Sequence, residues 1–327
     1  WQHDAIAGNL PDQARRARYG LIANWARAAG VAHVVLGHTA DDQAETFLMA
    51  LARQAGLDGL AAMRPAWQAD GLHWSRPLLS VGRAALRDYL RRQGVAWTED
   101  PTNEDLAYQR VKARRALAML APLGISADGL ATVAGHLAAA RGALVDLALR
   151  AAEDLARTSA GEVILDRAKW LGLSRDTRRR LLAAALRWVS SAEYAPRAAQ
   201  LTRLEAAIGQ GRDGTLWGCR LRTGRHEIRI AREPKAVQGL DGATDAIWDR
   251  RWRLTGPHDA RFRVRALGAE GLRQCPDWRA TGHSRAALLV SPAIWSDGTL
   301  ISAPLAGFGA GWAAEIVADF PSSVLSH

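Results

Sequence analysis

A chain of 327 residues, 48% hydrophobic and 23% charged, is long enough for about two domains with a substantial core, which excludes a mini-protein and a disordered or fibrous chain. With 43 basic against 33 acidic residues the net charge is +10, and since only Lys112, Lys169 and Lys235 are lysines the excess is arginine, whose planar fork suits phosphate. A polyanionic partner such as nucleic acid fits that balance; an arginine-rich composition alone explains it equally well. No apolar run approaches the roughly 20 residues that span a bilayer, so no membrane helix is expected. Cys219 and Cys275 stand far apart without a C-x-x-C neighbour, which argues against a zinc ribbon, a redox pair or a disulfide framework and fits a reducing cytoplasm.

In chain order, Pro11 and Gly30 bracket an amphipathic helix over Asp12 to Ala29, with Ala14, Ala17, Leu21, Trp25 and Ala29 at helical spacing. Val31 to Gly37 reads as a buried parallel strand. Thr39 and Asp42 form an [ST]-x-x-[DE] start signal for a helix whose Ala44, Phe47, Leu48, Leu51 and Ala55 share a face before Gly56 ends it. His73 to Leu79 is strand-like, Ser80 is placed to cap a helix running to Gly94, and Val95 to Thr98 reads as another strand. Helical patterns dominate after Pro122, at Ala127 to Arg157, Arg175 to Val189 and Pro196 to Ile208, closing on a hairpin turned at Gly224 and Arg225. Arg232 to Gly242 reads as a linker before short strand-like pieces in Trp248 to Gly311. The expected fold class is α/β: a partial doubly wound parallel-sheet domain over 1–122, a helical middle domain with terminal hairpin over 123–234, and a small α+β C-terminal domain over 235–327.

Chemistry concentrates in Leu36-Gly37-His38-Thr39-Ala40-Asp41-Asp42-Gln43-Ala44-Glu45-Thr46. A histidine and three carboxylates there sit where a strand ends and a helix begins, the edge at which open α/β sheets bind ligands. Helix N–H groups attract phosphate, and adjacent carboxylates can hold a hydrated Mg²⁺. Acidic residues in a first helical turn also simply complement the helix dipole, by about 0.3–1 kcal/mol each. Zinc is disfavoured with one histidine and no cysteine nearby. Arg175, Arg178, Arg179 and Arg180 form either an RNA-facing stripe or a solvated helix face, the latter favoured. The tryptophans of the last region, Trp248, Trp252, Trp278, Trp295 and Trp312, are expected mostly in the core.

The string Gly37 to Thr46, with Gly56 to Met63, Gly8 to Leu10, Ala14 to Tyr19, Arg76-Pro77-Leu78-Leu79, Trp97 to Asn103 and the basic Arg110 to Arg115, is similar to the tRNA(Ile)-lysidine synthetases, members of the PP-loop ATPase superfamily. The resemblance implies a bacterial, cytoplasmic RNA-modifying ligase. It would use ATP to adenylate the wobble cytidine of an isoleucine tRNA with a CAU anticodon, after which free L-lysine displaces AMP and leaves lysidine. It further implies that Asp41 and Asp42 organise Mg²⁺ and the ATP phosphates and that Gly37 and His38 lie at the nucleotide, His38 orienting reacting groups. Glu45 would meet the cationic lysine, and Arg15 and Arg18 would face the nucleotide site. Arg110, Lys112, Arg114 and Arg115 would contact substrate or tRNA. The C-terminal region would position tRNA, with no membrane as partner and a homodimer left open. The family's Ser-Gly-Gly-x-Asp-Ser pyrophosphate loop does not occur here and is expected upstream of Trp1, so the segment from Trp1 is expected not to adenylate tRNA by itself. The alternatives are a thiolation enzyme, which would need cysteines in the α/β domain where this chain has none, and a catalytically inactive tRNA-binding relative.

Overall fold

A computed structural model of the chain describes residues 10–98, 105, 107–192 and 196–325. The chain divides into two compact units, residues 1–142 and 143–327. In the first, α1 (Leu10–Ala28) is followed by β1 (His33–Val35), α2 (Ala40–Ala52), α3 (Leu57–Leu60), β2 (Ala66–Ala69), β3 (Leu72–Ser75), α4 (Arg83–Arg92), α5 (Gln109–Leu120) and the start of α6 (Ala127–Leu155). The sheet runs β1-β3-β2, with β1 parallel and β2 antiparallel to β3. Asp70 and Gly71 turn the β2–β3 hairpin at φ +55° and +75°, the positive pair a two-residue type I′ turn requires. That Asp-Gly pair is the signal for β2, which the strand expected at 73–79 passes over. Leu72 and Trp74 of β3 are buried against Ala23 and Ala26 of α1 and Leu36, with Tyr19 and Trp67 packed around Trp74 at ring distances of 5.1 and 5.7 Å.

Several expectations need correction. β1 is parallel, but it is an edge strand rather than a buried one, and its Val35 is 63% exposed. On α1 the stripe that meets β3 runs through Ile22, Ala23 and Ala26, so Leu21 and Trp25 lie on an exposed stripe, as does Leu51 on α2. Gly82, not Ser80, precedes α4. Val95 to Thr98 forms no strand, because the Val95 N–H turns back to the Leu90 carbonyl beside Gly94 (φ +66°) and closes the α4 terminus instead of joining the sheet. Glu99 to Glu104, together with Trp1 to Asn9, falls outside the described residues.

In the second unit, the expected helices are accompanied by a five-stranded antiparallel sheet. β4 (Ala156–Ser159), β5 (Glu162–Asp166), β6 (Gly214–Leu216), β7 (Cys219–Thr223) and β8 (Glu227–Arg232) pair in the order β4-β5-β8-β7-β6. α7 (Arg167–Gly172), α8 (Arg175–Ser190) and α9 (Ala198–Gly209) fill the sequence between β5 and β6. The run Val163-Ile164-Leu165 after Ala160-Gly161 (φ +45°, +82°) carries the missed β4–β5 hairpin. The apolar side of α8, including Leu181, Leu182, Leu186 and Val189, packs with Val163, Leu165, Ile228 and Ile230 in one core. Beyond α10 (Pro234–Val237), β9 (Gly242–Ala243), β11 (Arg263–Ala266), β12 (Pro292–Ser296) and β13 (Thr299–Ser302) form a four-stranded sheet, while β10 (Trp252–Thr255) pairs with β14 (Ala313–Ile316). The short helices α11 (Gly268–Arg273), α12 (Arg285–Leu289) and α13 (Phe320–Leu325) complete the unit. Trp248, Trp252 and Trp295 are buried, and Trp278 and Trp312 pack against the same cores.

Contrary to expectation, among the described residues one helix is long and apolar enough by length and composition to cross a membrane: α6, which is rich in alanine and leucine and carries Arg141, Asp146 and Arg150. By itself such a helix is weak evidence for a membrane.

Candidate functional site

The site begins where β1 ends and α2 begins. Thr39 takes extended backbone at the N-cap, and Asp42 Oδ2 accepts hydrogen bonds from both the Thr39 N–H and its hydroxyl, each at 2.9 Å. Asp42 Oδ1 lies 3.5 Å from the Arg110 guanidinium, which α5 lays beside α2 and which is 43% exposed. Burial pushes the Asp42 carboxyl up, but the two Thr39 hydrogen bonds and the charges of Arg110 and Arg83 outweigh it and hold it below its ordinary value. Asp41 points to another element: its Oδ2 accepts the backbone N–H of Arg83 at 2.6 Å, so a carboxylate of α2 caps the first turn of α4.

Glu45, one turn further on and 1% exposed, is clamped by two cations. Its Oε1 accepts from Arg83 at 3.4 Å and from Arg114 at 2.5 Å, while its buried Oε2 has no partner among the described residues. Such a charge would be costly to bury unpaired. Gln43, also buried, accepts the Met63 N–H at 2.8 Å and ties α2 to the segment after α3.

His38 accepts at Nδ1 from Arg76 Nε at 3.1 Å. Its pKa is lowered, first by burial and then by the charge of Arg76, with Arg110 and Arg15 adding to the effect and Asp42 opposing it. A neutral imidazole thus sits among three arginines and one carboxylate. Both pKa shifts act in one direction on stability. His38 and Asp42 have folded values below their ordinary 6.5 and 3.8, so the unfolded chain takes up each proton first as the pH falls. Stability is expected to be full above about pH 6.5, to lose the His38 contribution as pH falls through its lowered value, and to lose that of Asp42 only below 3.8. Urea unfolding of wild type and His38→Gln at pH 7.5 and 5 checks this: the gap between the two proteins should narrow at pH 5, and a constant gap would contradict it.

The residues expected at the site therefore separate. His38, Asp41, Asp42, Glu45, Arg110 and Arg114 come together, and Arg15 acts on His38. Gly37 opens onto space: an added Cβ would meet nothing within 4 Å, so packing does not require glycine there. Arg18 is exposed, and Lys112 and Arg115 lie on the exposed side of α5, away from the face that carries Arg110 and Arg114. Among the described residues no group of three or more His, Cys, Asp or Glu could hold a metal unaided. Sequence reasoning assigned no role to Arg76, Arg83, Gln43 or Tyr19. Arg76 had a local signal, an arginine closing an apolar strand, whereas the partners of Arg83 lie 38 and 42 positions away.

Residues 1–120 match the family model described as a PP-loop domain. The tRNA(Ile)-lysidine synthase of Ruegeria pomeroyi is 50% identical over 323 residues, covering 98% of this chain and 77% of that protein. The chain belongs to the tRNA(Ile)-lysidine synthase family. A family member from Bradyrhizobium sp. strain BTAi1 is 37% identical over 256 residues, or 72% of each chain, and one from Mesorhizobium japonicum is 37% identical over 316 residues, covering 90% of this chain and 67% of its own. Family membership makes the chain one of a group of ATP-using ligases and disfavours the thiolation reading; both cysteines are buried in the second unit, and burial pushes the Cys219 thiol up to about 12, far from a reactive thiolate.

Proposed function

We propose that this protein joins lysine to the wobble cytidine of an isoleucine tRNA with a CAU anticodon in the bacterial cytoplasm, consuming ATP and releasing pyrophosphate and AMP. The observation that carries the reading is the site itself: two helix N-termini, a neutral histidine and Arg15, Arg76 and Arg110 gathered at the carboxyl edge of a parallel strand pair in a chain of this family. In the first step the cytidine 2-carbonyl oxygen attacks the α-phosphorus of ATP and pyrophosphate leaves. In the second, the lysine ε-amine, its ammonium proton given up, attacks C2, the C2–O bond to phosphorus-bound oxygen breaks, AMP leaves and the remaining excess proton passes to solvent. Arg110, exposed and only loosely held by Asp42, swings to phosphate at little cost. Neutral His38 donates from Nε2 toward the developing phosphate charge. Glu45 keeps Oε1 on Arg83 and Arg114 and leaves Oε2 for the ammonium of lysine.

The donor set around Asp41 and Asp42 is oxygen only and anionic, with one oxygen of each carboxylate not engaged by a backbone N–H, which fits Mg²⁺ shared with phosphate oxygens and water rather than held by protein alone. Bound there, Mg²⁺ would neutralise phosphate charge. The direct test of the whole reading is incorporation of labelled lysine into the tRNA with ATP by protein that carries the family's pyrophosphate loop ahead of these residues; no incorporation by that protein, with tRNA binding intact, would favour the inactive relative.

The segments 123–234 and 235–327 hold the tRNA in this reading. The arginine stripe on α8 is a weak candidate surface, because Arg178 pairs with Glu205, and Arg179 and Arg180 both pair with Asp176. Arg220 and Arg222 on β7 are exposed on the sheet face opposite α8 and make no ion pair among the described residues. Changing both to alanine is expected to flatten the dependence of log affinity on log salt by about one to two units, while Arg178→Ala with Arg179→Ala leaves it unchanged. Filter binding across a salt series distinguishes the pairs; equal slopes in all proteins would remove the β7 face from the RNA surface.

A further inference from the structure

We propose that Arg76 is a positioning residue that locks His38 as the Nε2–H tautomer and keeps it a neutral donor. The proposal rests on the reading of His38 as a site residue given above. Arg76 is buried, 6% exposed, and among the described residues no carboxylate pairs with it; all its described hydrogen bonds go to neutral acceptors. Its Nε donates to His38 Nδ1 at 3.1 Å, its NH1 to the Arg64 carbonyl at 2.8 Å and its NH2 to the Tyr19 hydroxyl at 3.2 Å. The guanidinium lies 4.2 Å over the Trp67 ring, which offers a buried cation a negative face. Three acceptors and a ring leave the fork no other orientation.

The consequence for His38 is chemical. Arginine cannot give up its proton at physiological pH, so the Nδ1 that faces it must be an acceptor, and the single imidazole proton resides on Nε2. Protonating Nδ1 would set two donors against each other and place a second positive charge beside a buried one. The groups around His38 add to this: Arg76 of the β3 end, Arg110 of α5 and Arg15 of α1 oppose a charged ring, and among the described residues Asp42 of α2 favours it. The arrangement parallels metal and triad histidines, whose tautomer is set by what the other nitrogen meets, with the polarity reversed because the partner is a donor.

The test is ¹⁵N-histidine NMR of the protein, with His38→Gln to assign the signal, alongside the pH dependence of lysine incorporation by protein that carries the family's pyrophosphate loop. His38 is expected as the neutral Nε2–H form at pH 7, with its protonation falling below the ordinary 6.5. Tyr19→Phe removes one anchor of Arg76 without a change of shape; the His38 pKa should move toward 6.5 and the acid limb of kcat should shift with it. Arg76→Lys keeps the charge but lacks the fork, and is expected to populate both tautomers and to lower kcat about tenfold or more with KM for ATP little changed. A His38 signal showing the Nδ1–H form, or a doubly protonated ring at pH 7, would overturn the proposal even if the enzyme is active. Full incorporation by His38→Gln would overturn the catalytic reading of His38 while leaving the tautomer result standing.

Discussion

In protein that carries the family's pyrophosphate loop, Asp42→Asn is expected to slow lysine incorporation by about 10²–10³-fold or more while leaving the unfolding midpoint close to that of wild type. Asparagine at this position keeps an oxygen for the Thr39 N–H and hydroxyl, so the capping box at the start of α2 survives. What it removes is the negative charge facing Arg110, whose own side chain is exposed and 3.5 Å away, a pair worth about 1 kcal/mol to stability. In the proposed reaction the same charge orders Mg²⁺ and the triphosphate, where its loss is not compensated. Asp42→Ala should cost the cap as well, about 1 kcal/mol, and be equally inactive. Labelled-lysine incorporation paired with urea unfolding separates the two contributions. A stable Asp42→Asn protein with near-normal incorporation would show that this carboxylate only caps a helix.

The largest loss of stability is expected at Arg251, far along the chain from the site. This side chain is 3% exposed and donates to two backbone carbonyls, Val189 at 2.7 Å and Gly161 at 2.8 Å, while its guanidinium lies 4.7 Å over the Trp188 ring. It thereby joins the end of α8 to the β4–β5 turn. Gly161 is fitted to this contact: its φ is +82°, and a Cβ there would fall 2.8 Å from the Trp252 ring and 3.3 Å from Arg251. Burial pulls the Arg251 pKa down to about 10 against the favourable charge of Asp249, so the cation persists at neutral pH. Arg251→Ala leaves two buried carbonyls without donors, at about 1–3 kcal/mol each, and opens a cavity beside Trp188. The expected cost is about 3–5 kcal/mol, read as a lower urea midpoint with unchanged slope. A cost below about 1 kcal/mol would mean that water or relaxation replaces both bonds.

The two substitutions mark where local reasoning stops. Helix α2 and its cap were legible because Thr39 and Asp42 stand three residues apart, within the reach of a single turn, and α6, α8 and α9 were legible because apolar periodicity is a property of neighbouring residues. The same is true of the missed hairpins, whose Asp70-Gly71 and Ala160-Gly161 turns are visible in the sequence once sought. The grouping of His38, Asp41, Asp42 and Glu45 followed from their closeness in the chain.

The sequence by itself therefore determined the long helices α1, α2, α4, α6, α8 and α9, the α2 cap, the family and the acidic-histidine string, but not α5, which carries Arg110 and Arg114. Only the tertiary structure decided what each charge faces. Glu45 meets Arg83 and Arg114 across 38 and 69 positions, and Asp41 caps a helix that begins 42 positions later. Arg178, Arg179 and Arg180 of α8 are paired with acids, whereas Arg220 and Arg222 of β7 remain exposed. The physical reason is range: capping and periodicity act over about four residues along the chain, while desolvation and ion pairing depend on distance in space, which is set only when α2, α4, α5 and β3 pack together.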